Sequence, residues 1–564
     1  MFDVKLFDEL ESLYPDSTQE GGRDSYAISA CNGTYAGVHM LLTGLTPGIP
    51  VSIEVTGPNR AFKLFELLPV PVEVNTGARL RSAYLHNDVN ETVIRKAPFY
   101  IYEALNPIYN LLMPKTVTAA VKFSTAIEYI RKECDGEWTF IITHNQEKRV
   151  LKFTVHQYPC NVPKAGKDTH QYVNWINYKN VASYHGLQMF TPAYDRMLDK
   201  YLRAAVYSRQ NMINIPVTEC LKNLNGEIVL DEERLLYFIR MAQKAGITYL
   251  QGDGLCSRAA GLNDDDDFYQ SLDHEKIEHP EEIVTAFRKK AFDLFDNGTM
   301  AKTSFDGKLI PGDGEESLRK ASECLYAFIE KYQLNDIWIQ CCMDEPNDAL
   351  ADAYRKITQI MHDAMPSVPL MEPMLPSHEL ENTADILCPS ADIYEQDREY
   401  YDELIAKGAR LYVYTCLTPG GAYCNRMLDM QRLRQVWLGW APAIYPNIEG
   451  FLHWGLNQYP NGDDPFHRSA VMFSEQILEY HPKLPMFLPV GDFCILYPGY
   501  NQPLITTRSE AQRIGYEDLH LLQQLPDAAA FAAQVFRGYA NYTLDIDLYR
   551  KTREQLHKRA SNLM

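Results

Sequence analysis

Eight strand-like runs, spaced by amphipathic helical stretches, constrain this chain more than any other feature. They are YVNWINY (172–178), MINIPV (212–217), ITYLQG (247–252), IWIQCCMDE (337–345), PLMEPML (369–375), ILCPSADI (386–393), ARLYVYTCL (409–417) and EGFLHWGLNQY (449–459). The intervening segments, such as YDRMLDKYLRAAVYSR (194–209), DEERLLYFIRMAQKAG (231–246), LRKASECLYAFIEKYQ (318–333) and MLDMQRLRQVWLGWA (427–441), repeat apolar residues every three or four positions, the period of a helix with one buried face. Eight strands alternating with helices predict a (β/α)₈ barrel of the TIM type. A doubly wound sheet is the competing architecture, but it carries a glycine-rich phosphate turn after its first strand, and none follows YVNWINY.

The flanking segments have a different rhythm. Before residue 165, short alternating runs such as PVSIEVTG, EWTFIITH and VLKFTVHQYP are punctuated by NG, GLTPG and TGPN turns, which predicts a β-sandwich. After 486 the sequence predicts a short hairpin and then helices over 508–525, 528–543 and 547–560, packed on the outside of the barrel. The expected organisation is a sandwich over 1–165, a barrel over 166–485 and a C-terminal extension over 486–564.

In a parallel barrel the chemistry sits at the C-terminal strand ends, where the loops enclose a pocket. Those ends offer Trp175, Gln251, Asp344, Glu345, Glu372, Asp392, Tyr414, His453, Trp454, Asn457 and Tyr459. Carboxylates, amides and flat rings suit a carbohydrate, since rings stack on the apolar faces of a pyranose and polar groups bind its hydroxyls. Taken singly, each aromatic residue is equally well explained as filling of the barrel's top layer, and His453 as a satisfied core histidine.

The fourth run ends on Asp344 and Glu345 and is stopped by Pro346. Unpaired carboxylates are costly to bury, so a core strand has no structural reason to finish on two of them. Successive strand residues face opposite ways, and the pair can share one site only where the pleat breaks. Ordinary glycosidases place their two carboxyl groups on separate elements across the scissile bond. Two adjacent acids fit substrate-assisted hydrolysis of a 2-acetamido sugar: Glu345 as general acid and then base, Asp344 ionised and holding the acetamido N–H of the forming oxazolinium ion.

Composition narrows the partners. A formal net charge of −20 argues against nucleic acid and anionic membranes, and no run reaches the length of a membrane span. The acidic, amphipathic start MFDVKLFDELESLYPDS lacks the features of a signal peptide, so a cytoplasmic location is expected. The 12 cysteines show no CxxC or zinc spacing, and buried thiols are expected. The run LNDDDDF (262–268) lacks the alternating pattern of a calcium loop and reads as a solvated loop. The sequence leaves a homo-oligomer open.

CMDEP after an apolar strand, YVYTCLTPGGAYCNRMLD (412–429), GFLHWGLNQYPNGDDPF (450–466) and YPGYNQPLITTRSEAQRIGYEDLHLL (497–522) together resemble glycoside hydrolase family 123 and the broader set sharing domain of unknown function 4091, over about 170–525. The resemblance implies a retaining exo-β-N-acetylgalactosaminidase on a sandwich-plus-barrel fold, acting on short oligosaccharides or glycosides without metal or organic cofactor. It places the family's Asp–Glu pair on Asp344 and Glu345, and its aromatic and amide residues most nearly on Tyr414, His453, Trp454 and Asn457. Two other readings stand beside it. One is a glycosidase for a different sugar, with Asp344, Glu372 or Asp392 as nucleophile; the other is a non-catalytic carbohydrate-binding barrel.

Overall fold

The computed structural model describes residues 2–76, 93–224, 227–256, 315–346, 351–374, 377–459, 464–472 and 487–563. The acidic run 262–268 and Asp463 lie outside them.

The N-terminal segments form two five-stranded sheets. The first runs in the order Asp3–Asp8, Tyr35–Thr43, Ala119–Ala126, Phe62–Val72, Phe99–Ile108, with antiparallel neighbours throughout. The second runs Ser25–Asn32, Glu147–Asn161, Cys134–His144, Val51–Thr56, Leu111–Leu112. Burial alternates along Cys134–His144, so that Trp138, Phe140 and Ile142 meet Val38, Met40 and Phe123 of the facing sheet. The alternation seen in the sequence is the physical basis of this sandwich.

All eight expected barrel strands form, and they close. Gln171–Asn174, Met212–Ile215, Tyr249–Gly252, Trp338–Cys341, Leu370–Met374, Ile386–Pro389, Arg410–Tyr414 and Ile448–His453 follow one another in parallel, and the eighth pairs the first with Val173 opposite Leu452. Val173, Met212, Ile339, Met371, Ile386, Cys388, Tyr412 and Leu452 pack together in the interior. Helix boundaries follow local chemistry. Thr191 caps Pro192–Tyr207 by accepting from the Tyr194 N–H, Asp231 caps Glu232–Ala245, and Gly246 ends that helix at φ 107°.

The tail departs from expectation in two places. Instead of one helix over 528–543 there is a five-residue helix, Ala528–Ala532, followed by a small hairpin of Phe536–Gly538 and Asn541–Tyr542. At Gly538 a Cβ would sit 2.4 Å from Glu395 Oε1, and the Tyr539 N–H donates to that same oxygen at 2.7 Å, so the chain turns there rather than coiling. The last helix, Ile546–Ser561, does not lie only on the barrel. Arg553 and His557 bond Ser29, and Tyr158 bonds Glu554, so this helix also covers the sandwich strands Ser25–Asn32 and Glu147–Asn161.

Between the two lies the helix Thr507–Leu522, buried along nearly its whole length despite its charges. It meets the barrel helix Arg432–Ile444 backbone to backbone, with a Cβ on Gly439 only 2.3 Å from the Gly515 carbonyl carbon. Its polar residues face the sandwich. Glu103 accepts from Arg508 Nε at 2.6 Å and Arg432 Nη2 at 3.1 Å; Lys122 bridges Glu9 at 2.7 Å and Glu510 at 2.8 Å; Arg513 holds Glu510 and Glu517. Burial pushes the Glu9 and Glu510 carboxyls up, and the surrounding cations outweigh it, leaving both at about 2. Their contribution to stability is complete above the ordinary carboxylate range and is lost as pH falls through about 2.

Breaking such a network from one side leaves charge buried and uncompensated. Lys122→Met should therefore lower the stability of the whole chain by about 3–5 kcal/mol, measured by urea unfolding at neutral pH.

Candidate active site

The strand ends gather unequal company. Tyr414, ending the seventh strand, donates its hydroxyl to Glu345 Oε1 at 2.7 Å. Trp175 and Trp454, from the first and eighth strand ends, are half-buried and pack in the same cluster as Tyr414 and Leu417. Each indole is pinned by its N–H: Trp175 to Gln251 Oε1 at 2.7 Å, Trp454 to Asp492 Oδ2 at 3.0 Å. Two rings fixed at the edge of one mouth, with a buried carboxyl between strands four and seven, can grip and protonate a flat polar ligand.

Asp344 and Glu345 stand two residues beyond the fourth strand, after Cys342 and Met343, and both have positive φ, 121° and 48°. Ordinary L residues avoid this region at a cost of about 1–3 kcal/mol each, and such strain concentrates at functional sites. The pleat is broken at the pair itself, before Pro346. Asp344 is half-buried and Glu345 buried.

The other expected residues are buried and hydrogen-bonded within the protein. Glu372 is fully buried; its Oε2 accepts from the Met343 N–H at 2.8 Å and the Tyr354 hydroxyl at 3.1 Å. Burial pushes its carboxyl up to about 8, with the Asp344 charge adding to the effect. Asp392 is buried in the first turn of the short helix Ala391–Gln396 and accepts from Ser390 Oγ at 2.5 Å. His453 is fully buried, its Nδ1 2.6 Å from Arg426 Nη2 and 3.0 Å from the Gly455 N–H. Burial and the guanidinium groups of Arg426 and Arg508 hold the ring well below its usual pKa, so it stays neutral. Asn457 uses both ends of its amide on the Asn177 backbone, at 2.7 and 3.0 Å, tying the eighth-strand loop to the first. Tyr459 donates to the Leu496 carbonyl at 2.8 Å and packs on Tyr184.

Sequence reasoning gave Gln251, at the third strand end, no role, and passed over two further residues that shape this region. Gln251 and Asp492 anchor the two tryptophans, and Arg426 joins Asn174 Oδ1 (2.5 Å), His453 and the Gly455 carbonyl beneath them. Asp492 and Arg426 lie in FLPVGDFC and YCNRML, where a lone charge among apolar or small residues was the available signal.

A closed (β/α)₈ barrel with carboxyls and indoles at its C-terminal mouth defines a carbohydrate-active enzyme of the barrel class. Residues 175–525 match the catalytic domain of glycoside hydrolase 123, more than half of the chain. The chain belongs to glycoside hydrolase family 123 and is a glycoside hydrolase. A family 123 glycoside hydrolase from Clostridium perfringens, described in connection with glycolipid glycan hydrolysis, shares the fold with a TM-score of 0.66 at 12% identity, over 100% of this chain and 98% of that one. A β-glucuronidase from Parabacteroides merdae matches at a TM-score of 0.32 and 7% identity, over 86% of this chain and 50% of its own. An endo-β-1,4-mannanase from Thermotoga petrophila gives 0.32 and 13%, over 63% and 77%. No curated protein matches the chain in sequence. Among the described residues no helix is long and apolar enough to cross a membrane.

Burial pushes the Asp492 carboxyl up to about 7, and Arg426, the Trp454 N–H and Arg508 pull it back only in part. A carboxyl raised on folding contributes stability that is complete below its unfolded pKa and lost as pH rises through about 7. Asp492→Asn keeps an acceptor for Trp454 and removes the proton. Urea unfolding from pH ~4 to ~7 should therefore show a slope of stability against pH more positive than the parent's by up to about 1.4 kcal/mol per pH unit. Parallel curves would mean the carboxyl titrates normally.

Proposed function

We propose that this glycoside hydrolase is a retaining, exo-acting β-N-acetylhexosaminidase, galacto-configured in preference, that uses the substrate's own acetamido group as nucleophile. The observation that carries the reading is the pair Asp344–Glu345, both at positive φ at a barrel strand end, with Glu345 bonded to Tyr414. The commitments of Glu372 and Asp392 support it further. The first is buried on the Met343 amide and the second on Ser390, which leaves both poorly suited to attack an anomeric carbon. That role falls to the acetamido oxygen.

In the first step the protonated Glu345 gives its proton to the glycosidic oxygen while the acetamido oxygen bonds to C1 and the aglycone leaves. Asp344 stays ionised, accepts from the acetamido N–H and stabilises the positive charge of the oxazolinium ion. In the second step Glu345, now a carboxylate, takes a proton from water as that water bonds to C1 and the oxazoline opens, with net retention. Tyr414 orients the Glu345 carboxyl, and the Trp175 and Trp454 rings flank the pyranose. Short oligosaccharides and glycosides are the expected substrate class, and the glycolipid glycans named for the Clostridium perfringens relative are natural compounds to test.

The test compares 4-nitrophenyl β-N-acetylgalactosaminide with the 4-nitrophenyl β-galactoside, in which hydroxyl replaces the acetamide. Turnover is expected on the first and a loss of at least about 10³-fold on the second. Glu345→Gln should lower kcat on the first by about 10²–10⁴-fold with the fold intact. Equal rates on both glycosides would contradict the proposal.

A further inference from the structure

The ladder between the fourth and fifth barrel strands ends early. Gln340 pairs with Leu370 and Cys341 with Met371, and the next main-chain bond is from the Glu345 N–H to the Pro373 carbonyl at 2.9 Å. Cys342, Met343 and Asp344 lie in the gap. A buried amide left without a partner costs about 1–3 kcal/mol, so the donors released there need acceptors.

A side chain supplies one of them. Glu372 Oε2 takes the Met343 N–H at 2.8 Å, and Tyr354 closes on the same Oε2 at 3.1 Å. From the other side the Cys256 N–H donates to the Cys342 carbonyl at 2.9 Å. Gly254 lies so close that a Cβ there would stand 3.1 Å from that oxygen and 3.2 Å from the Met343 oxygen. The backbone entering Asp344 is thus held on both flanks, and directly after it the chain takes up its two positive-φ residues. Strain of that kind persists only where the surroundings over-determine the conformation.

We propose that Glu372 is a positioning residue, which grips the backbone at Met343 through its side-chain carbonyl oxygen so that Asp344 and Glu345 point together into the mouth, and which neither attacks the sugar nor binds it. This rests on the roles of Asp344 and Glu345 given under the proposed function. Glu372 works as an uncharged acid: it is fully buried, among the described residues it makes no ion pair and its Oε1 has no hydrogen-bond partner, and Asp344 lies in electrostatic reach. A carboxylate placed there would be unpaired and costly. A neutral carboxyl needs only its carbonyl oxygen for the grip, and a glutamine amide of the same shape supplies that oxygen.

The experiment measures kcat and KM on 4-nitrophenyl β-N-acetylgalactosaminide for E372Q, E372L and, as reference, E345Q, with circular dichroism for each. Glutamine should rescue, so E372Q is expected to keep kcat within about fivefold of the parent. E372L loses the grip and should lower kcat by about 10²-fold with KM within about threefold, since an ångström of misplacement is worth that much. If E372L does not fold, E372D, one methylene short of the Met343 amide, takes its place with the same split. The proposal is overturned if E372Q is as inactive as E345Q, because Glu372 then reacts as a carboxylate. It is also overturned if E372L keeps the parent kcat, or raises KM at unchanged kcat as a sugar ligand would. Near-normal turnover by E345Q would instead remove the reading of the catalytic pair, whatever the Glu372 variants do.

Discussion

The hydrogen-bond ladder between the fourth and fifth barrel strands stops at Cys341 and Met371, and the geometry of the mouth depends on what replaces it. A regular strand would have pointed Asp344 and Glu345 to opposite faces. Instead, a buried carboxyl, the Pro373 carbonyl and a close glycine hold the backbone while two residues turn through positive φ. The strain, about 1–3 kcal/mol for each residue, is offset by amides that would otherwise be orphaned. Strand order brings Tyr414 to Glu345, and the first and eighth strands bring the two indoles.

A barrel can hold such strain only if its frame does not yield. Here the frame extends beyond the barrel. The helix Thr507–Leu522 lies between barrel and sandwich, backbone to backbone with Arg432–Ile444 on one side and ion-paired to Glu103 and Lys122 on the other. Buried ion pairs are weak as sources of net stability because desolvation cancels much of the attraction, but removing one partner is expensive. They fix how the parts fit. Arg508 illustrates the reach of the network: it joins Glu103 of the sandwich to the Arg426 and Gly491 carbonyls, close to the groups that hold His453 and Asp492. The sandwich is in this way tied to the layer that supports Trp454.

Much of the frame was legible in the sequence, for a simple reason. Strands buried on both faces must be continuous apolar runs, and helices covering them must repeat every three or four residues, so all eight strands of the barrel stand out in the sequence. The direction of a side chain at a strand end was harder to see. Asn457 and Tyr459 follow the eighth strand like ligands, yet one stitches a loop to Asn177 and the other packs beside Tyr184. His453 looked equally apt as ligand or as core residue, and Arg426 at 2.6 Å makes it part of the core. Asp492 reaches the site from a segment far along the chain, which no local pattern reveals. The stretch 528–543 read as a helix because its alanines favour one, and a tertiary contact at Gly538 and Glu395 turned the chain instead.

The central claim is that neighbouring acids divide one reaction between them, one serving the leaving oxygen and the other the amide carried by the ligand. A crystal structure with the thiazoline derived from N-acetylgalactosamine tests it most directly. The account predicts the thiazoline nitrogen within hydrogen-bond distance of the Asp344 carboxylate and the Glu345 carboxyl beside C1 on the leaving-group face. A thiazoline ring seated against Asp392 or Glu372, with Asp344 turned away from it, would contradict the account.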